Sequence, residues 1–156
     1  MNNSTYSPRR TMRMIVVMVV YSYEVLNQKP NVDEIFEKDV FDDLFDYEVF
    51  KKFRTDVQKE QYKIIGTIEK NYDLLVKAIE KYTREDWIWS RMNPLLRAIL
   101  LCASIELWKL DIGIVTNEYV EITKDFFPES NEYKFVNNVI EKIGRIYHEY
   151  KNKKND

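Results

Sequence analysis

The sequence predicts an all-α protein. Three observations predict it. The chain has only three glycines and four prolines in 156 residues. It carries long apolar stretches with no turn residue inside them, and its apolar positions recur at steps of three and four. So few turn residues leave little room for the many hairpins of a β-protein. The length suits one domain with one core. With 45% hydrophobic and 32% charged residues the balance is globular, not disordered.

Residues 1–8 are polar and expected to form a flexible N-terminal arm, with Pro8 suited to the approach to a helix. The folded domain is expected over 9–150, and 151–156 as a polar basic tail. Residues 9–26 read as a first helix. Its centre, 15–20, is apolar on nearly every side, which marks a buried segment. The β-branched content there also suits a strand, but the run is long and unbroken, which favours a helix. A loop at 27–31 contains Pro30, and Asn31 with Glu34 three residues on forms a capping arrangement. Residues 32–53 are acidic and aromatic and read as one or two short helices.

Residues 57–82 are a clearer helix, with Gln61, Ile64, Ile65, Ile68, Tyr72, Leu75 and Ile79 on one stripe. Gly66 inside it costs about 1 kcal/mol relative to alanine, unless close packing uses the space. Thr83, with Asp86 three residues on, opens a segment that breaks at Pro94. Residues 95–108 are almost wholly apolar and should form the central core helix, closed by Gly113 in a left-handed conformation. Thr116 is expected to cap a helix over 117–127. A last helix over 131–150 should turn Phe135, Val136, Val139, Ile140, Ile143, Ile146, Tyr147 and Tyr150 inward.

Net charge is −2, so the total does not point to nucleic acid. The distribution says more. Residues 1–23 hold Arg9, Arg10 and Arg13 and no acid, residues 33–48 are strongly acidic, and the end is basic again. Arg9 and Arg13 share a helix face at i, i+4, and Arg10 shares an edge with Arg13. Guanidinium forks suit phosphates and base edges, and Tyr6 just before them offers a stacking surface. Alone, three arginines at a helix start are ordinary surface charge. Cations there oppose the helix dipole, however, which gives mild support to a functional reason.

Catalysis finds no support. His148, the only histidine, sits near the end of an amphipathic helix and reads as a C-terminal cation. Cys102 lies in an apolar run and reads as a core thiol. A single cysteine permits no internal disulfide, which fits a reducing cytoplasm. There is no glycine-rich phosphate loop, paired cysteine or histidine-based metal spacing. The expectation is a non-enzyme with no catalytic residue, metal or cofactor. Residues 14–21 are too short to span a membrane, and no small-x-small cleavage site of a signal peptide follows them.

Four segments together resemble the NusB transcription antitermination family. They are Arg9-Arg10-Thr11-Met12-Arg13 with the helix ending in Tyr21-Ser22-Tyr23; Trp87-Ile88-Trp89-Ser90-Arg91-Met92 with Leu96-Arg97-Ala98-Ile99-Leu100 and Ile105-Glu106-Leu107; Val115-Thr116-Asn117-Glu118 with Glu121 and Lys124; and Lys134-Phe135-Val136-Asn137 with 139–143. Their order and spacing match the family over nearly the whole chain. The resemblance implies about six or seven helices in two helical halves and no catalysis. It implies binding of a short single-stranded element, boxA, in ribosomal RNA transcripts, beside NusE, a small-subunit ribosomal protein. It implies an indirect link to the RNA polymerase elongation complex, no membrane role, and a possible homodimer that covers the arginine face. It assigns RNA contact to Arg9, Arg10 and Arg13, and more weakly to Lys134 and Asn137; Asn137 serves equally well as a structural cap. Tyr21 matches a family tyrosine on the NusE side.

The chain departs from the family pattern at Thr11, Leu96, Leu101, Tyr119 and Asn138. Thr11 stands where a further arginine is common and implies weaker RNA affinity. Leu96 bears on the NusE contact. Several residues also have plain structural readings. Trp87 and Arg91, at i, i+4, are placed to stack on each other. Glu106 interrupts an apolar helix and is expected at a boundary, or paired with an arginine or a helix N-terminus. The competing expectation is a non-catalytic protein–protein interaction module that has lost boxA binding. A NusB-like domain working with a separate RNA methyltransferase is a further alternative.

Overall fold

The structure, a computed structural model, describes residues 8–37, 54–83 and 87–154. Among them are six α-helices, one 3-10 turn and no strand. The helices are α1 (Pro8–Val25), α2 (Val32–Glu37), α3 (Arg54–Tyr82), α4 (Pro94–Glu106), α5 (Ile112–Phe126) and α6 (Glu132–Lys154), with the 3-10 turn at Trp89–Arg91. The arm before Pro8, much of the expected acidic helices and the Asp86 start signal lie outside the described residues.

α4 is the axis of the core. Every residue from Leu96 to Glu106 is buried, as the continuous apolar sequence requires. Its start is built by Asn93, whose side chain accepts from the Leu95 N–H at 2.8 Å, with Pro94 at the first helical position. α1 lies antiparallel on it: Arg13 near the start of α1 meets Glu106 at the end of α4, and Glu24 near the end of α1 meets Arg97 near the start of α4. The apolar centre of α1 is buried between these ends, with Val16, Val17 and Val20 almost fully covered. α3 packs across both and bends at Asn71 (φ −116°, ψ 18°). α5 and α6 form an antiparallel pair against α4. Gly144 permits their approach: a Cβ there would sit 2.8 Å from Ile112 Cγ1. Helices α1–α3 and α4–α6 are thus the two halves, joined across the α1/α4 contact.

α1 closes through Asn27, left-handed at φ 54°. The Gln28 N–H bonds the Tyr23 carbonyl and the Asn27 N–H bonds the Glu24 carbonyl, both at 3.0 Å, which is the Schellman arrangement with Asn in place of Gly. The Asn31 cap forms as expected, with Oδ1 accepting from the Glu34 N–H at 3.0 Å.

Several sequence expectations are corrected. Gly113 has no positive φ and lies inside α5. α4 closes instead on the Glu106 carbonyl, which takes the N–H groups of Lys109 and Leu110 at 3.0 and 2.9 Å. Thr116 does not cap a helix; α5 begins four residues earlier and buries it. Ile146 and Tyr150 are exposed; Tyr147, next to Ile146, takes the inward position and packs on Trp108, and α6 continues to Lys154. Trp87 stacks on Phe135, with centroids 4.0 Å apart and planes at 15°, and not on Arg91.

Candidate nucleic-acid interface

One turn of α1 carries three arginines into three environments. Arg9 points to solvent; its side chain is 69% exposed, and the Glu60 carboxylate on α3 is 3.8 Å away. Arg10 makes a fork with Glu118 on α5, with Nε to Oε2 at 3.0 Å and Nη2 to Oε1 at 3.2 Å. Arg13 is 4% exposed. Its Nε donates to both oxygens of Glu106, at 2.8 and 3.1 Å, and its Nη1 lies 3.7 Å from Glu118. The Tyr119 hydroxyl, fully buried, also donates to Glu106.

These contacts form one network of two guanidinium groups, two carboxylates and a phenol. The electrostatics follow. The Arg10 hydrogen bond holds the Glu118 carboxyl below the usual range. Burial would lower the Arg13 guanidinium, but the Glu106 hydrogen bond and charge outweigh it and raise it. Burial, then the Glu106 charge, pushes the Tyr119 hydroxyl well up.

Of the three arginines expected to contact RNA, the structure leaves Arg9 exposed. Arg13 is a buried structural residue, and Arg10 is engaged with Glu118. Helical spacing fixes where cations lie along α1, but the carboxylates that meet them arrive from 93 and 108 residues away. Glu106 does pair with an arginine, as its place in an apolar helix suggested. Tyr119, a departure from the family pattern, supplies that glutamate with a second donor. No signal at the sequence level marked Glu118 as the partner of Arg10.

The second predicted cluster lies elsewhere. Lys134 is exposed in the first turn of α6, and Asn137 is half-buried one turn on. Lys134 lines a cleft of about 340 Å³ between the end of α3 and α6, with Tyr82, Trp87, Phe135, Asn138 and Lys142. The Trp87–Phe135 stack forms an aromatic wall, and the N-terminus of α6 adds a favourable dipole for anions. Asn137 does not line this cleft. Arg9 stands beside Glu60, whereas the cleft begins at Tyr82. Most of α3 separates them, a path of about 33 Å if the helix ran straight. The two predicted sets are thus distinct places on the surface.

Tyr21 lies on a third. Met18, Tyr21 and Val25 are 49%, 38% and 48% exposed. At i, i+3 and i+7 they form one uncovered apolar stripe on a helix whose other face is core. The departures Leu96 and Leu101 are 2% and 0% exposed, so both fill the core and neither presents a surface.

A further polar cluster lies at the other end of α1. The Tyr72 hydroxyl donates to Glu24 at 2.8 and 3.1 Å. Arg97 donates to the carbonyls of Glu24 and Trp89 at 3.0 and 3.1 Å. Burial first, then the Glu24 bond, raises the Tyr72 phenol to about 12. Burial likewise pushes the Cys102 thiol well up, as expected of a core cysteine. His148 is exposed on the outer side of α6. Among the described residues no group of three or more His, Cys, Asp or Glu could hold a metal ion, and no helix is long and apolar enough to cross a membrane.

Residues 10–145 match the model of the NusB family. The chain belongs to the NusB family. Its relatives include the transcription antitermination protein NusB of Sulfurimonas denitrificans, 30% identical over 141 residues that cover 88% of this chain and 96% of that protein. The protein of the same name from Campylobacter hominis is 28% identical over 141 residues, 88% of this chain and 97% of that one. Among solved structures, T. maritima NusB superposes with a TM-score of 0.72 and 25% identity, over 89% of this chain and 92% of that one. The all-helical NusB fold, in two halves across α1 and α4, is thus shared with a solved relative.

Proposed function

We propose that this NusB-family chain is a non-catalytic adaptor of transcription antitermination. It binds boxA-type single-stranded RNA of ribosomal RNA transcripts together with NusE, and through NusE reaches the elongating polymerase in the cytoplasm. The observation that carries this reading is the cleft at the start of α6. Its aromatic wall of Trp87 and Phe135 suits unstacked bases, and Lys134 and Lys142 suit phosphates. Arg9 is the accessible cation of α1, and Arg10 lies at the edge of the same surface. Asn137 stands beside the cleft as a neighbour and not as a wall. The uncovered stripe of Met18, Tyr21 and Val25 supports a protein partner on α1.

With Arg9, Lys134 and Lys142 engaging about three phosphates, the log–log salt slope should be about −2 for a single strand. Such binding is modest, so useful affinity requires the partner. Gel retardation of boxA-like RNA by this protein and NusE together, weakened by Lys134→Ala or Arg9→Ala, is the expected result. No retardation with both proteins present would sink the RNA reading. The second reading, a protein-only module, is favoured by the neutralisation of Arg10 and Arg13 by Glu118 and Glu106. It predicts NusE binding through α1 with no RNA in the complex. A homodimer covering the start of α1 would give concentration-dependent mass that falls on adding RNA.

A further inference from the structure

The cleft between α3 and α6 holds a polar side chain that the fold does not employ. Asn138 lines it with Trp87, Phe135, Lys134 and Lys142, and it is exposed. By contrast, Asn31 caps α2, Asn93 caps α4 and Asn71 donates to the Thr67 carbonyl at 2.9 Å. Among the described residues the Asn138 amide makes no hydrogen bond. Asparagine is also a poorer helix former than alanine, and position 138 is well inside α6. Local stability therefore gives no reason for an amide here.

Its place on the helix is informative. Lys134, Asn138 and Lys142 fall at i, i+4 and i+8, so they form one row along α6, in steps of about 6 Å along the axis. All three line the same cleft. Among the described residues neither lysine is in an ion pair, and no carboxylate lines the cleft. The row thus reads cation, amide, cation, beside the stacked rings of Trp87 and Phe135. Single-stranded RNA has the matching parts: phosphates at intervals, with a base between them that is free to stack and to offer its edge.

We propose that Asn138 is the base-reading residue of this cleft and that it selects adenine. The amide offers an acceptor, Oδ1, beside a donor, Nδ2. Adenine answers with its N6 amino group and N7 side by side, so Oδ1 accepts from N6 while Nδ2 donates to N7. Both atoms are free on an unpaired base. Lys134 and Lys142 hold the phosphates on either side, and the aromatic wall takes the face of the base. The proposal rests on the RNA-binding reading above and adds to it a source of sequence preference, which phosphate contacts and stacking alone do not supply.

The test is fluorescence-anisotropy titration of a boxA-like RNA, each adenine in turn replaced by 7-deazaadenine, with the full chain and NusE. The analogue keeps the ring and the amino group but removes the N7 acceptor. Asn138→Ala should keep the helical circular dichroism of wild type, since alanine favours the helix. It should bind unmodified RNA roughly 5- to 150-fold more weakly. At one adenine the analogue should weaken wild type and leave Asn138→Ala unaffected. The salt slope of Asn138→Ala should equal that of wild type, because an amide displaces no counterion, whereas Lys134→Ala should lower its magnitude by about 0.7. If Asn138→Ala keeps the wild-type response at every adenine while Lys134→Ala weakens binding, the assignment of Asn138 is overturned and the cleft stands. If wild type binds no RNA even with NusE, both readings fall.

Discussion

Replacing Arg13 by alanine should cost the fold far more than replacing Arg9, though the two lie about one turn apart on α1. Arg13 is 4% exposed and Glu106 6%. Without the guanidinium, the Glu106 carboxylate stays buried with only the Tyr119 hydroxyl as a donor. Breaking a buried pair from one side costs about 3–5 kcal/mol. Domains of this size are stable by about 5–15 kcal/mol, so the loss brings the variant near its threshold. Arg9, 69% exposed and 3.8 Å from Glu60, should change stability by less than about 0.5 kcal/mol. Urea unfolding followed by helical circular dichroism measures both. A second variant, Arg13→Met with Glu106→Gln, removes both charges but keeps an acceptor for Tyr119, and should recover at least half the loss. An Arg13→Ala protein within about 1 kcal/mol of wild type would refute the burial argument. The practical consequence concerns RNA binding. Changing Arg9, Arg10 and Arg13 together mixes unfolding with loss of contact, so Arg9→Ala is the informative variant.

The two glycines of long helices should respond in opposite directions. A Cβ at Gly66 meets Val32 Cγ2 at 3.5 Å, an ordinary contact, so Gly66→Ala should stabilise by about 0.5–1 kcal/mol in urea unfolding. Gly144→Ala drives a Cβ into the β-branched Ile112 and should destabilise by about 1–3 kcal/mol. The lowered carboxyl of Glu118 stabilises the fold above its unfolded pKa, and that part is lost as pH falls through the folded value; a Glu118→Gln variant should therefore show a shallower acid loss of stability below about pH 4. The Tyr72 phenol, raised to about 12, contributes stability up to about pH 10 that disappears as pH rises through its folded value. Ultraviolet titration should show its signal moving toward about pH 10 in Glu24→Gln, where the charge of its acceptor is gone.

Much of the architecture was legible in the sequence because it depends on local periodicity. The stripe from Gln61 to Ile79, the buried centre of α1 and the continuous apolar run of α4 each follow from spacing along one element. The Asn31 cap and the break at Pro94 follow from side chains acting within three residues. The errors arose where distant residues decide. Gly113 looked like a helix terminator, but the Glu106 carbonyl closes α4 without a left-handed residue. Trp87 looked suited to Arg91, but Phe135 from α6 takes its ring face. Arg10 and Arg13 looked accessible because a linear pattern cannot show Glu106 and Glu118 folding back onto them. The cleft around Lys134 was partly legible, since the lysine was singled out while Tyr82, Trp87 and Lys142 reach it only through tertiary packing.

The opposed ion pairs at the two ends of α1 and α4 have a consequence for how the chain finds its fold. A shift of α1 by one turn is about 5.4 Å. It would part Arg13 from Glu106 and Glu24 from Arg97 at the same moment, stranding four charges in the interior. Inverting the helix would set Arg13 against Arg97 and Glu24 against Glu106. The pairs thus act as a vernier, admitting one alignment and one direction where hydrophobic matching would tolerate several.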